Sequence, residues 1–227
     1  MAKLIIKIKY GGLGDHLFYS HIPRIAKEFG KYSQVFISNK SNFRNGDYKK
    51  LVWEKNPYID GFTDDDGFSV ENIKIQNYNK ENLLDKIILE FGLEDGKRFH
   101  EPEIYYKPNN IKELNDKTIY DPNYTSNAGL GIGTKIEKYF KKNKVKIDYQ
   151  LPVRKPHSIP TYHFNEFIKN ETFWDFLDIV YSAKEVYCLT SGTATLLSAL
   201  GKKANVFYTK NQDLIFRHSK SNNYIKL

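Results

Sequence analysis

The chain's 227 residues include 35 Lys+Arg against 27 Asp+Glu, a formal net charge of +8 with a pI near 9.2. Hydrophobic residues at 40% and aromatics at 15% can build a core, which excludes wholesale disorder. No apolar run nears the roughly 20 residues of a spanning helix, so no integral helical membrane protein is expected. The single cysteine, Cys188, excludes an internal disulfide framework and a cysteine-built zinc site, and suits a reducing cytoplasm. Abundant Lys, Asn, Ile and Tyr match AT-rich coding, which by itself supplies part of the positive charge.

At the start, Leu4, Ile6 and Ile8 alternate with Lys7 and Lys9, a charged strand rather than a secretion signal. Tyr10 leads into Gly11-Gly12-Leu13-Gly14-Asp15, after which Phe18, Ile22, Ile25 and Phe29 recur at helical spacing up to Gly30. Pro23 should kink or restart that helix. Val35-Phe36-Ile37 is the next strand, and a βαβ opening favours a parallel α/β sheet. Tyr58 to Phe62 and Ile73 to Ile75 are further strand candidates, and Leu83 to Phe91 a helix closed by Gly92. The polar stretch Lys107 to Asn115 reads as a connection.

A second cycle follows: strand Thr118-Ile119-Tyr120, a turn-rich loop through Asp121 to Asn127, and a basic run Lys135 to Lys144. Phe173, Phe176, Leu177, Val180 and Tyr181 mark an amphipathic helix, Glu185 to Leu189 a buried strand, and Thr193 to Leu200 a helix ended by Gly201. Ala204 to Tyr208 is another strand. The predicted fold is α/β with two Rossmann-like domains, residues 1–115 and 116–227.

Two glycine loops carry the chemistry. Gly11-Gly12-Leu13-Gly14-Asp15 joins a strand to a helix, where backbone N–H groups and the helix dipole converge. A dinucleotide fingerprint would need a third glycine where Leu17 stands, and an acid where the second strand ends in Ser38-Asn39-Lys40. That speaks against NAD and NADP. Asp15 reads equally as an N-terminal helix cap and as a catalytic carboxylate. The second loop, Thr190-Ser191-Gly192-Thr193-Ala194-Thr195, offers small residues, hydroxyls and first-turn amides of the kind that bind phosphate oxygens.

Together the two loops resemble GT-B glycosyltransferases. The first is most similar to the ADP-heptose:lipopolysaccharide heptosyltransferase family, and the second to lipid A disaccharide synthase. The resemblance implies two Rossmann-like lobes facing across a cleft, the acceptor mainly on the first and a nucleotide-sugar donor on the second. It implies a metal-independent transferase with no cofactor, inverting if displacement is single-step. Ser191, Gly192, Thr193 and Thr195, with Thr190, would hold the diphosphate; Thr125, Ser126 and Lys135 would add contacts. Gly11, Gly12 and Gly14 would shape the acceptor side. Asp15 matches the family's base, with His16 in reserve, although a His at a helix start is more often merely exposed.

The chain departs from these families where Thr190 replaces an Asp, Thr195 a His and Leu197 a Glu, which leaves nucleotide and sugar open. Pro23 also falls two residues later than in the heptosyltransferase motif, and 227 residues require trimmed lobes. The implied partners are a glycan or glycolipid acceptor of a bacterial surface polysaccharide, capsule or lipopolysaccharide, and an anionic inner-membrane surface. No nucleic acid is expected. The residues leave two alternatives: a basic nucleic-acid-binding α/β protein, and a catalytically degenerate transferase-like scaffold.

Other clusters rank lower. Asp64-Asp65-Asp66 has the Asp-x-Asp spacing of a metal chelate but also the look of a solvated turn. His100, His157, His163 and His218 lack zinc-site spacing. Lys138, Lys141, Lys142 and Lys144 suit a solvated face, and Trp53 and Trp174 the core.

Overall fold

Short parallel strands need helical crossovers, and the chain supplies them in two compact units. The computed structural model describes residues 2–71, 73–75, 77–124, 133–153, 166–209 and 217–227. The first unit comprises Met1–Tyr106 with Leu214–Lys220, and the second Lys107–Asp213 with Ser221–Leu227. The Lys107 to Asn115 stretch thus belongs to the second unit. There Asn109 bonds Asp178 through its backbone N–H and its side-chain amide, each at 2.9 Å, and the Ile111 N–H bonds Ser182 Oγ at 2.7 Å.

In the first unit, β1 (Lys3–Ile6) is followed by α1 (Leu13–Leu17), α2 (Ile22–Glu28) and β2 (Gln34–Ser38). Pro23 does restart the helix: it sits in the first turn of α2, where its missing N–H costs nothing. Gly30 ends this helical stretch with φ +66°, and Gly92 plays the same part after the helix Leu83–Glu90 with φ +62°. α3 (Gly46–Tyr48) runs into a π-helical turn, Lys49–Glu54, which buries Leu51, Val52 and Trp53. β3 (Gly61–Thr63) and α4 (Leu83–Glu90) complete the unit's regular elements. β1, β2 and β3 pair in parallel in that order.

The Ile73 to Ile75 strand does not form; those residues are irregular. Its place is taken by Phe68, which bridges Ile6 in parallel on the free side of β1, trading 2.9 Å bonds with Lys7 N–H and the Ile5 carbonyl. β1 is therefore central, and strand order reverses across it.

In the second unit a 3₁₀ turn, Lys112–Leu114, precedes β4 (Thr118–Asp121), α5 (Gly133–Lys142), β5 (Tyr149–Gln150), α6 (Phe173–Ser182), β6 (Glu185–Leu189), α7 (Gly192–Ala199), β7 (Ala204–Tyr208) and β8 (Asn223–Lys226). The sheet runs β5-β4-β6-β7-β8, all parallel. Val186, Tyr187, Cys188 and Leu189 are all buried, as expected for a central parallel strand covered on both faces. The order reverses between β4 and β6. Among the described residues, no helix is long and apolar enough to cross a membrane.

Candidate active site

Open parallel sheets bind ligands beyond the carboxyl ends of their strands, at the point where strand order reverses. In the first unit that point is the end of β1. The chain turns sharply there: the Asn42 N–H bonds the Ile8 carbonyl at 2.9 Å. A Cβ on Gly11 would lie 2.6 Å from the Asn42 carbonyl oxygen, so only glycine fits.

Asp15 stands in the first turn of α1. Its Oδ2 accepts the Gly12 N–H at 2.9 Å, so the capping reading is realised. The same side chain lines a cavity of about 280 Å³ between the end of β1, α1, Val70, Glu71, Ile73 and α4. Partial burial raises its pKa; the Gly12 N–H and the charge of Arg44 pull the other way and lose. A carboxylate made more basic by its surroundings and placed against a cavity is suited to take a proton. The cap and the base are not exclusive, because a carboxylate has two oxygens.

His16 does not serve as a reserve base. It is completely buried rather than exposed, and stacks on Phe43 with ring centroids 4.7 Å apart. The indole N–H of Trp53 donates to its Nδ1 at 3.0 Å, and its Nε2 lies 3.1 Å from the Asn42 carbonyl. An indole N–H can only donate, so Nδ1 is the acceptor and Nε2 carries the hydrogen. Burial holds the pKa down at about 4, only partly opposed by the Asn42 carbonyl. Both nitrogens are occupied and the ring is neutral, which makes His16 a structural tie. Trp53 is core, as its pattern indicates, but with this polar use as well.

The second unit's reversal point lies between β4 and β6. Asp121 ends β4, is buried, and accepts the Thr193 hydroxyl at 2.5 Å, with two further bonds from Asn123. Thr193, expected on the diphosphate through its hydroxyl, has thus already donated it to Asp121, and only its backbone N–H is left for an anion. Thr195 is also turned inward, its Oγ1 3.5 Å from the Ser191 carbonyl. Ser191 differs. It occupies the N-cap position of α7 in extended conformation without capping the helix, and its Oγ is buried with no hydrogen-bond partner among the described residues. A buried hydroxyl unbonded among the described residues, beside an uncapped helix start, is an arrangement suited to binding an oxyanion.

Thr190 and Gly192 flank Ser191 and are half-buried; Gly14 is half-buried in α1. Lys135 is exposed in the first turn of α5. Thr125 and Ser126 lie outside the described residues. The acids of Asp64-Asp65-Asp66 are taken up individually, by Asn39 at 2.8 Å, Lys3 at 2.9 Å and Lys7 at 2.9 Å. Sequence reasoning missed Asp121 and the cavity's floor; the signal for Asp121 was a carboxylate at the carboxyl end of a buried strand.

A scan against protein-family models finds no match, and a search of curated proteins finds none. Solved structures do match. A glycosyl transferase of family 9 from Veillonella parvula DSM 2008 aligns with 99% of this chain and 85% of its own, at 11% identity and TM-score 0.60. The dodecameric, iron-containing heptosyltransferase TibC of enterotoxigenic E. coli H10407, in complex with ADP-D-beta-D-heptose, aligns with 97% of this chain at 12% identity and TM-score 0.64. The chain spans only 61% of TibC's length. E. coli heptosyltransferase WaaC with ADP aligns with 99% of this chain and 93% of its own, at 8% identity and TM-score 0.57. At such identities the likeness is one of fold: the chain has the parallel-sheet α/β fold of glycosyltransferase family 9 and heptosyltransferase structures.

Proposed function

We propose that the chain is a glycosyltransferase, moving a sugar from a nucleotide-sugar to a surface-polysaccharide or lipopolysaccharide acceptor without a metal ion. The first unit receives the acceptor and the second holds the donor. The observation that carries this reading is Asp15, a half-buried carboxylate of raised basicity lining a cavity at the end of β1. The ADP-heptose of TibC and the ADP of WaaC support a nucleotide-sugar as the donor.

In the reaction the acceptor oxygen forms a bond to the anomeric carbon while the bond from that carbon to the diphosphate oxygen breaks. The acceptor's proton passes to Asp15. The bond electrons leave with the nucleoside diphosphate, whose charge the first-turn amides of α7 and the Ser191 hydroxyl stabilise. A single displacement of this kind inverts the anomeric carbon.

The test is thermal unfolding with ADP-, GDP-, UDP- and CMP-sugars, on the wild type and on Ser191→Ala. At least one nucleotide-sugar should raise the wild-type midpoint, since a ligand that binds only the folded state stabilises it. Ser191→Ala loses no hydrogen bond to the described residues, so its own midpoint should be equal or higher, while its response to the nucleotide-sugar weakens. A wild-type protein indifferent to the whole panel would contradict the proposal.

A further inference from the structure

The composition of the cavity beside Asp15 narrows what can enter it. Its floor is apolar, formed by Ile8, Val70, Leu83 and Ile87, each less than 8% exposed. Lys9, Tyr10 and Glu71 form its rim, and Lys9 Nζ is held by Glu71 Oε2 at 2.6 Å. Among the described residues the lining therefore presents two carboxylates, Asp15 and Glu71, and one cation, Lys9, whose charge Glu71 balances. Arg44 attracts the charge of Asp15 but does not line the cavity. The hydroxyl of Tyr19 is engaged, donating to the Val70 carbonyl at 3.1 Å.

An anion placed there would meet the carboxylate of Asp15 in a partly desolvated space, and Glu71 leaves it no free charge on Lys9 to offset that repulsion. An uncharged ring meets no such penalty: one face can lie on the apolar floor, another against the ring of Tyr10, which is 55% exposed at the rim. At about 280 Å³ the cavity falls just below the common range of roughly 300–1,000 Å³ for ligand pockets, room for one sugar ring rather than an oligosaccharide.

We infer that this cavity takes an uncharged, single sugar ring as acceptor and rejects a ring bearing a carboxylate or phosphate, with Glu71 as the selecting side chain. The inference rests on the glycosyltransferase reading for the word acceptor, but the selection is a binding property that can be measured without turnover. Glu71 suits a test because it is exposed and lies outside every helix and strand.

The probes are p-nitrophenyl β-D-glucopyranoside and p-nitrophenyl β-D-glucuronide, which differ at one carbon by a hydroxymethyl or a carboxylate. Their binding is followed by ligand-detected NMR with the whole chain. Wild type should bind the glucoside at least roughly tenfold more tightly, the scale of one close like-charge contact. Glu71→Lys should erase or reverse that preference while unfolding at the wild-type temperature. Equal or tighter wild-type binding of the glucuronide, a preference untouched by Glu71→Lys, or binding of neither probe would overturn the inference. Failure of the nucleotide-sugar panel with glucoside selection intact would instead remove the transferase reading and leave the cavity's selectivity standing.

Discussion

Asp15→Asn should lower sugar transfer by a factor of at least about 100, the scale of losing a general base, while folding and nucleotide-sugar binding persist. The substitution separates the two roles of the side chain. An asparagine carbonyl can still accept the Gly12 N–H that Asp15 Oδ2 now accepts at 2.9 Å, so the start of α1 stays capped. Only proton acceptance is lost. Initial rates of nucleoside diphosphate release in the presence of acceptor, for the variant and wild type, measure the effect. Equal rates would remove Asp15 from the chemistry and leave it a cap.

Acid should destabilise the protein well before its carboxylates titrate. His16 and His21 are fully buried, and burial holds their pKa values at about 4 and about 3, the charge of His100 lowering that of His21 further. Unfolded, each imidazole has a pKa near 6.5 and takes up a proton that the folded form refuses. A group whose folded pKa is depressed contributes stability above the unfolded value and loses it as pH falls toward the folded one.

His100 works in the opposite sense. Its Nδ1 lies 2.5 Å from Asp85 Oδ1 and its Nε2 3.0 Å from Asp95 Oδ2, and these two carboxylates outweigh burial and raise its pKa. Its contribution is fully present below 6.5 and disappears as pH rises through the folded value. Unfolding takes up about one net proton at pH 6.5 and nearly two at pH 5, so stability should drop by roughly 3 kcal/mol across that interval. For a chain of this size that is on the order of 10 °C in midpoint. Below pH 4 the depressed carboxylates Asp85 and Asp95 add to the loss. Melting curves at pH 7, 6 and 5 measure it, and His21→Leu should remove about half of the slope. A midpoint flat across this range would show that neither imidazole is neutral in the folded protein.

Periodicity made most of the fold legible. Alternation placed β1, and 3.6-residue spacing placed α4 and α6, because each buries one face and the sequence records which. Pro23 marked where one helix ends and another begins. Elements held by pairing alone were not legible: β5 is two residues long, β8 has only Tyr224-Ile225 as an apolar signal, and the bridge at Phe68 is one residue. The π-helical turn at Lys49–Glu54 has no signature that separates it from an α-helix, yet it delivers Trp53 to His16.

The candidate site shows the same division. Gly11 to Asp15 and Thr190 to Thr195 stood out because glycines and hydroxyls cluster where a strand meets a helix. How each hydroxyl is spent depends on neighbours distant in sequence: Thr193 donates its hydrogen bond to Asp121, 72 positions away. Ser191 is distinguished from Thr193 and Thr195 only by what it fails to bond. The floor of the cavity is likewise assembled from Ile8, Val70, Leu83 and Ile87, whose hydrophobicity announces core and not a pocket.

The central claim is that the start of α7 holds the diphosphate of an activated sugar. Amide hydrogen exchange of the wild-type protein, with and without the nucleotide-sugar that raises its melting temperature, tests this most directly. The N–H groups of Gly192 and Thr193 open the helix beyond reach of its internal ladder, so exchange there should slow on binding. Protection confined to other parts of the chain, with the first turn of α7 exchanging as before, would contradict the account.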